Sequence, residues 1–365
     1  MVKAPGSAPK YQQVYSALRR DIQSGRLAKG DRLPSEADLV RLFGASRITV
    51  GRAVRDLQAA GLVERRAGAG TFVKVPPASG GLSFGLLIPD LGETEIFEPI
   101  CQGMMASPLA EEHALVWGSR SGPDASREDN AWRLCRQYID RHVSGVFFAP
   151  LELTRGKDII NRRIADVFGK AGIAVVLLDR DLVPYPDRSY YDLVGIDNRR
   201  AGYTITAHLL SRGCRRLAFV GRPRSAPTVD ARISGYREAM GDKNLEPIVC
   251  RIDPEDRAEV KRILTKARPD GFICANDFTA AQLLKTLNGL DVSVPDEVRL
   301  GGVDDVKYAS LLSVPLTTIH QPCAEIGAVA IETMLDRLRT PKMPPRDVLL
   351  NFRLVVRDSC GSRAR

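Results

Sequence analysis

Residues 30–73 read GDRLPSEADLVRLFGASRITVGRAVRDLQAAGLVERRAGAGTFV, and the first part of the fold follows from them. Ser35 follows a Pro-containing turn and stands three residues before Asp38, the spacing of a reciprocal capping box. It opens a short helix, Glu36 to Phe43, which Gly44 stops. Ser46 caps the next helix, which runs to about Ala60 and is closed by Gly61. Val50, Val54 and Leu57 share one face of it, so at ~100° per residue Ile48, Gly51, Arg52 and Arg55 point away. Upstream, Tyr11 to Ser24 carries Val14, Leu18 and Ile22 at helical spacing, and Gly25 ends that run. Downstream, Leu62–Arg66 and Thr71–Val73 are strand-like runs around Ala67-Gly68-Ala69-Gly70. Two helices joined by a tight turn, with a helix before them and a Gly-rich hairpin after, predict a winged helix-turn-helix.

Charge points the same way. The first 75 residues hold 14 Lys and Arg against 6 Asp and Glu, while the whole chain holds 53 against 44. Eight of the nine excess positive charges therefore lie in this segment, and the other 290 residues are nearly balanced. Such asymmetry implies a polyanionic partner, and with this motif the partner is double-stranded operator DNA. The words GDRLPSEADL, SRITVGRAV, LQAAGLV and RRAGAGTFV resemble the GntR family of bacterial regulators across residues 11–73. The resemblance implies DNA contacts from Ser35 and Glu36. It implies further contacts from Ser46, Arg47, Thr49 and Arg52 on the recognition helix, and from Gly68 and Gly70 in the wing. The chemistry agrees: Arg binds guanine bidentately, hydroxyls suit phosphate oxygens, and Gly lets backbone approach a groove. Ala37 and Gly51 depart from the family, which often carries Arg there. Gly51 also costs the recognition helix ~1 kcal/mol relative to Ala.

Val75 to Gly81 has linker composition, so the sequence divides into a DNA-binding domain at 1–74, a linker at 75–82 and a large domain at 83–365. Beyond the linker, short apolar runs alternate with amphipathic ones. Strands are expected at Phe84–Pro89, Leu115–Gly118, Gly145–Pro150, Ala174–Asp179, Leu193–Asp197, Leu217–Gly221, Ile248–Ile252, Gly271–Asn276 and Arg299–Asp304. Helices such as Asn130–Arg141, Ile159–Ala171, Arg200–Arg212, Val229–Gly241 and Glu255–Ala267 fall between them. This α/β alternation predicts parallel sheets covered on both faces, and the number of strands predicts two lobes with a cleft at the strands' carboxyl ends.

Polar residues gather at those ends. Asp179-Arg180 closes VVLLDR, Asn276-Asp277 closes GFICAND, Asp304-Asp305 closes LGGVDD, Gln321 follows TTIH, and Arg232 lies in ARISGYREAM. Any one of the Asn or Asp residues, taken alone, reads better as a helix cap. Together they describe a cleft suited to a neutral polyol, whose hydroxyls both donate and accept. These words, with VGIDNRRAGYTITAHLLSRGCRRLAFVG and VPDEVRLGGVDDVKYASLLSVPLTTIHQP, resemble the LacI/GalR-type effector domain, which has the periplasmic sugar-binding fold, across about residues 83–358. The resemblance implies sugar contacts from Asp179, Arg232, Asn276 and Asp304. Its sugar-transport branch adds Arg180 and Gln321, with Phe97 as stacking aromatic. Ala149 departs from the Asn that branch often places in the cleft, and Thr94 and Glu95 are also unfamiliar.

The seven cysteines are scattered and form no CxxC pair, and the four histidines are dispersed, so a reducing cytosol is expected and metal chemistry is not. No apolar run reaches membrane-span length, and the N-terminus lacks the apolar core of a secretory signal. A transport binding protein is disfavoured by that and by the basic N-terminal segment. A GntR-type reader fused to a pyridoxal-phosphate enzyme remains the alternative, but no Schiff-base Lys beside a phosphate-binding turn is evident. The expectation is a cytoplasmic, cofactor-free repressor, not an enzyme, acting as a homodimer on an inverted repeat and controlled by a sugar-like ligand.

Overall fold

The computed structural model describes residues 10–23, 26–27, 30–59, 62–66, 69–74, 81–88, 95–118 and 126–362. Gly25, Gly61, Gly68, Thr94 and most of the 75–82 linker lie outside them.

The N-terminal part comprises α1 (Lys10–Gln23), α2 (Glu36–Phe43), α3 (Arg47–Ala59), β1 (Val63–Arg66) and β2 (Gly70–Val73). Its helix starts follow the sequence closely. The Ser35 side chain accepts from the Asp38 amide at 3.2 Å while Asp38 accepts from the Ser35 amide at 3.3 Å, the expected box. Gly44 closes α2 in the left-handed region at φ 55°. Ser46 Oγ accepts from the Thr49 amide at 3.2 Å and so starts α3. Val14, Leu18, Leu39, Val50, Val54 and Leu57 form the buried centre, joined by Val63 and Val73 of the antiparallel hairpin. Residues 31–33 pair with β2 through the Arg32–Phe72 bridge, which ties the hairpin to the turn before α2.

The large segment opens with β3 (Ser83–Leu87), α4 (Phe97–Ala106), β4 (Ala114–Trp117), α5 (Arg127–Asp140), β5 (Gly145–Phe148), α6 (Lys157–Ala171), β6 (Ala174–Leu178) and β7 (Asp192–Ile196). It continues with α7 (Asn198–Ser211), β8 (Leu217–Gly221), α8 (Pro227–Gly241), β9 (Ile248–Arg251), α9 (Arg257–Lys266), β10 (Gly271–Cys274), α10 (Asp277–Asn288), β11 (Arg299–Asp304) and β12 (Thr317–His320). It ends with α11 (Cys323–Arg339), β13 (Asp347–Leu350) and β14 (Arg353–Val355). Two six-stranded sheets result, in the orders β4-β3-β5-β6-β7-β13 and β9-β8-β10-β11-β12-β14. All pairings are parallel except that of β14 with β12. The chain passes between sheets after β7, after β12 and after β13. Every residue of β5, β8 and β10 is buried, as strands covered on both faces require.

The sequence reading named nine strands here, and the structure adds β12, β13 and β14. The last two are sheet-edge strands of four and three residues, mostly half-exposed, so they lack the continuous apolar run that marks the inner ones. Two pins fix the helices. Arg337 of α11 grips the buried Asp192 carboxylate of β7 with Nε at 2.8 Å and Nη2 at 3.0 Å. Helix α8 lies so close to α7 that a Cβ on Gly235 would sit 1.8 Å from the Arg199 carbonyl oxygen, and one on Gly202 would sit 2.1 Å from that of Arg232.

That approach aims Arg232 into the gap between the sheets, so it is testable by overpacking. Gly235→Ala is expected to destabilise the protein by about 1–3 kcal/mol or more in denaturant unfolding. Gly241→Ala, with nothing within 4 Å of the new methyl, serves as the control and should change stability little. Equal midpoints for the two variants would contradict the close-packed account.

Candidate functional site

The first candidate surface is the exposed side of α2 and α3. Arg47 opens α3 with a side chain 84% exposed, 3.9 Å from Glu36 at the start of α2. Arg65 of the wing approaches the same Glu36 at 3.7 Å. Glu36 therefore holds two exposed guanidiniums beside one another, loosely, in a geometry where a phosphate can replace the carboxylate. Ser46 and Thr49 share a hydroxyl–hydroxyl bond of 2.7 Å at the same helix start. Arg52 lies one turn on and stacks 4.1 Å above the Tyr11 ring of α1. Gly70 sits in the wing at φ 116°, beside the Arg32 guanidinium. Of the family-implied DNA residues, Ser35, Glu36, Ser46, Arg47, Thr49, Arg52 and Gly70 thus have described positions on this unit, and Gly68 is outside the described residues. Sequence reasoning passed over Arg65 and did not use Ile48, which is 82% exposed beside Arg47. An apolar side chain there suits a thymine methyl.

The second candidate is a cavity of about 460 Å³ between the two sheets. Asp179 and Arg180 reach it from the end of β6, Asn276 from the end of β10, Asp304 from the end of β11 and Arg232 from α8. These five come together as the sequence predicts. Phe97 and Gln321 do not line it and require correction. Phe97 is buried on α4 beneath the Arg180 guanidinium, 5.2 Å from it. Gln321 is buried behind Asp304 and donates to Asp304 Oδ1 at 2.7 Å. Both position charged groups from behind. Asn276 satisfies both of its readings: it caps α10, accepting from the Thr279 amide at 2.9 Å, and it faces the cavity. Ala149 and Glu95 also line the wall.

The arrangement is a chain of charges drawn from both lobes. Arg232 donates from Nε to Asn198 Oδ1 at 2.8 Å and from Nη1 to the Ala275 carbonyl at 2.5 Å. Its Nη2 lies 3.7 Å from Asp304. Arg180 lies 3.4 Å from Asp179 and pairs with Glu152. Asp179 Oδ1 is buried and has no hydrogen-bond partner among the described residues, and a ligand hydroxyl can supply one. Burial raises the Asp179 carboxyl against the pull of Arg180 and Arg232. The backbone is held in the left-handed region at Asp179 (φ 66°), Leu153 (φ 63°) and Arg224 (φ 62°), strain of the kind that clusters at binding sites. Glu152, Arg127 and Arg222 were not foreseen. Arg222 directly follows β8, so the strand-end rule applied there finds it, whereas Glu152 lies four residues past β5 and is brought in by the loop.

Asp304 gives the site a pH signature. Desolvation, reinforced by Asp277 and Asp179 and opposed by Arg232 and Gln321, pushes its carboxyl from 3.8 up to about 8. Between those values the unfolded chain has released this proton while the folded chain keeps it, so stability falls as pH rises and levels off above about 8. Asp304→Asn cannot ionise. Its melting temperature is expected to gain on the wild type progressively from about pH 5 to pH 8. A pH-independent difference would contradict the burial of an ionisable group here.

Comparison with known proteins matches both parts. Residues 10–73 match the bacterial regulatory proteins of the gntR family, and residues 206–360 match a periplasmic binding protein-like domain. The arabinose metabolism transcriptional repressor of Geobacillus stearothermophilus is 25% identical, covering 96% of this chain and 97% of that protein. The ribose operon repressor of Halalkalibacterium halodurans is 26% identical over 75% of this chain and 78% of its own. The solved structure of the transcription regulator GntR from Chromobacterium violaceum is 26% identical with a TM-score of 0.60, covering 77% of this chain and 100% of that one. The chain therefore joins a gntR-type helix-turn-helix to a two-lobed periplasmic binding protein-like domain, an architecture similar to that of the arabinose repressors.

Proposed function

We propose that this chain is a sequence-specific DNA-binding transcription regulator, a repressor, whose operator affinity is set by a small sugar-like ligand held between its lobes. The observation that carries the reading is the pairing, in one chain, of a basic winged helix-turn-helix with a cavity lined from both sheets by carboxylates, guanidiniums and an amide. Residues 1–74 read DNA, 75–82 connect, and 83–365 sense the ligand and dimerise. Relatives matched over most of this chain are named as repressors of arabinose metabolism and of the ribose operon, which supports a sugar as the effector. The work is binding rather than turnover, and no cofactor enters it. A regulator of this kind acts in the cytoplasm, on the nucleoid when bound.

The mechanism rests on differential affinity. A ligand that bonds to Asp179 and Arg180 in one lobe and to Arg232, Asn276 and Asp304 in the other favours the closed pair of lobes. Two readers, one per subunit of a homodimer, meet the half-sites of an inverted repeat. Their spacing changes with lobe closure, so ligand and operator affinities are coupled.

Two outcomes test this. Arg47→Ala is expected to weaken specific operator binding by roughly 1–3 kcal/mol in a mobility-shift titration, with the ligand response unaffected. Unchanged operator affinity would remove α3 from the recognition role. Asp304→Ala and Arg232→Ala are expected to abolish the sugar response while ligand-free operator binding stays near wild type. Each removes a partner from a desolvated site, at a cost of roughly 1–3 kcal/mol or more. Calorimetry that finds ligand affinity unaltered in both variants, with only melting temperatures lowered, would reduce these residues to structural pins.

A further inference from the structure

We infer that Glu152 is a resident anion that sets the specificity of the cleft: its carboxylate takes the seat an acidic or phosphorylated ligand would need, so the site admits uncharged ligands and turns anionic ones away. The inference rests on the sugar-sensor reading above and sharpens its ligand class.

Glu152 projects from the Ala149-Pro150-Leu151-Glu152 loop that follows β5 in the first lobe. Groups that recognise anions converge on it. The Arg180 guanidinium pairs with Oε1. The Ala226 amide, at the N-cap of α8 in the second lobe, donates to Oε2 at 3.0 Å. Ala226 has no side chain to cap that helix, so the positive end of a 15-residue dipole is capped by a carboxylate from the other lobe. A guanidinium beside a helix N-terminus is the usual receptor for a phosphate or a sugar acid, and here the protein fills it from within.

The filling is held in place. Leu153, the next residue, donates its amide to the Arg224 carbonyl across the lobes at 2.8 Å, which fixes the loop's register. Arg180 cannot swing to a new anion freely: it lies over Phe97, 3.4 Å from Asp179, and is 5% exposed. Burial acts to raise the Glu152 carboxyl, but Arg180, the Ala226 amide and Arg232 outweigh it and keep the group below the usual carboxylate range, hence ionised. An incoming anion would also face repulsion from this ionised carboxylate on the cavity wall. A neutral polyol meets no such repulsion and can donate hydroxyls to it.

The test uses the full chain with inorganic phosphate as probe, read by thermal shift and calorimetry on the wild type, Glu152→Ala, Glu152→Gln and the double variant Glu152→Ala/Arg180→Ala. Phosphate is expected to shift the wild type only by the background that the exposed Arg47 and Arg65 contribute, a background that every variant shares. Phosphate should bind Glu152→Ala at least roughly tenfold more tightly, the factor a charge-assisted bond is worth. The double variant should lose that gain. Phosphate binding equally to wild type and to a cooperatively melting Glu152→Ala would overturn the inference. If Glu152→Ala does not melt cooperatively, Glu152→Gln decides: a phosphate shift larger than the wild type's supports the resident anion, and an equal shift overturns it. Neutral pentoses and hexoses are titrated into the same samples. A wild type that binds none of them contradicts the sugar-sensor reading, while the phosphate comparison still judges Glu152.

Discussion

Asp179, Arg180 and Arg232 are buried between two sheets with the partly exposed Glu152 and Asp304 beside them, and contacts from both lobes make that withdrawal from water tolerable. Burying an ion costs several kcal/mol unless partners replace its hydration. No single lobe supplies them all. Glu152 and Arg180 come from the first sheet, yet Glu152 is completed by the Ala226 amide of the second. Arg232 draws on Asn198 at the start of α7, on the carbonyl of Ala275 and on Asp304, so three elements must agree before its charge is satisfied. The close α7–α8 packing through Gly202 and Gly235 keeps that agreement, since a shift of α8 would withdraw the guanidinium.

The cleft is nonetheless incompletely satisfied. Asp179 Oδ1 has no partner among the described residues, the Asp304 carboxyl sits well above its ordinary range, and backbone is strained on both sides at Leu153 and Arg224. A fully self-paired cleft would gain little from a ligand. One that lacks a few hydrogen bonds is completed by a molecule rich in hydroxyls, and the gain depends on how the lobes stand. The reader's surface is poised in the same way. Glu36 holds Arg47 and Arg65 through exposed ion pairs, which contribute little stability and yield readily to phosphates.

How much was legible depended on how local each feature is. The capping box of Ser35 and Asp38, the Gly44 stop and the inner strands β5, β8 and β10 are encoded in contiguous residues, and the sequence reading placed them within a few residues. The strands β13 and β14 depend on the sheets they join, and nothing in DVLL or RLV alone marks them. In the cleft, Asp179, Asn276 and Asp304 could be found because each ends a recognisable strand. Phe97 was expected on the wall from resemblance alone and Gln321 also from its place after TTIH, and the fold turned one beneath Arg180 and the other behind Asp304. Glu152 escaped notice because its place depends on a loop path and on contacts with the far lobe, which spacing does not record.

In the function proposed, one ligand site and one DNA surface share a single equilibrium. Linkage makes it measurable: a sugar that changes operator affinity by some factor must itself bind the operator complex and the free protein with affinities differing by that same factor. Calorimetric titration of an effective neutral sugar into the full chain, free and saturated with operator, tests this directly. The account predicts two different affinities whose ratio equals the change in operator affinity; identical affinities in the two states would contradict it.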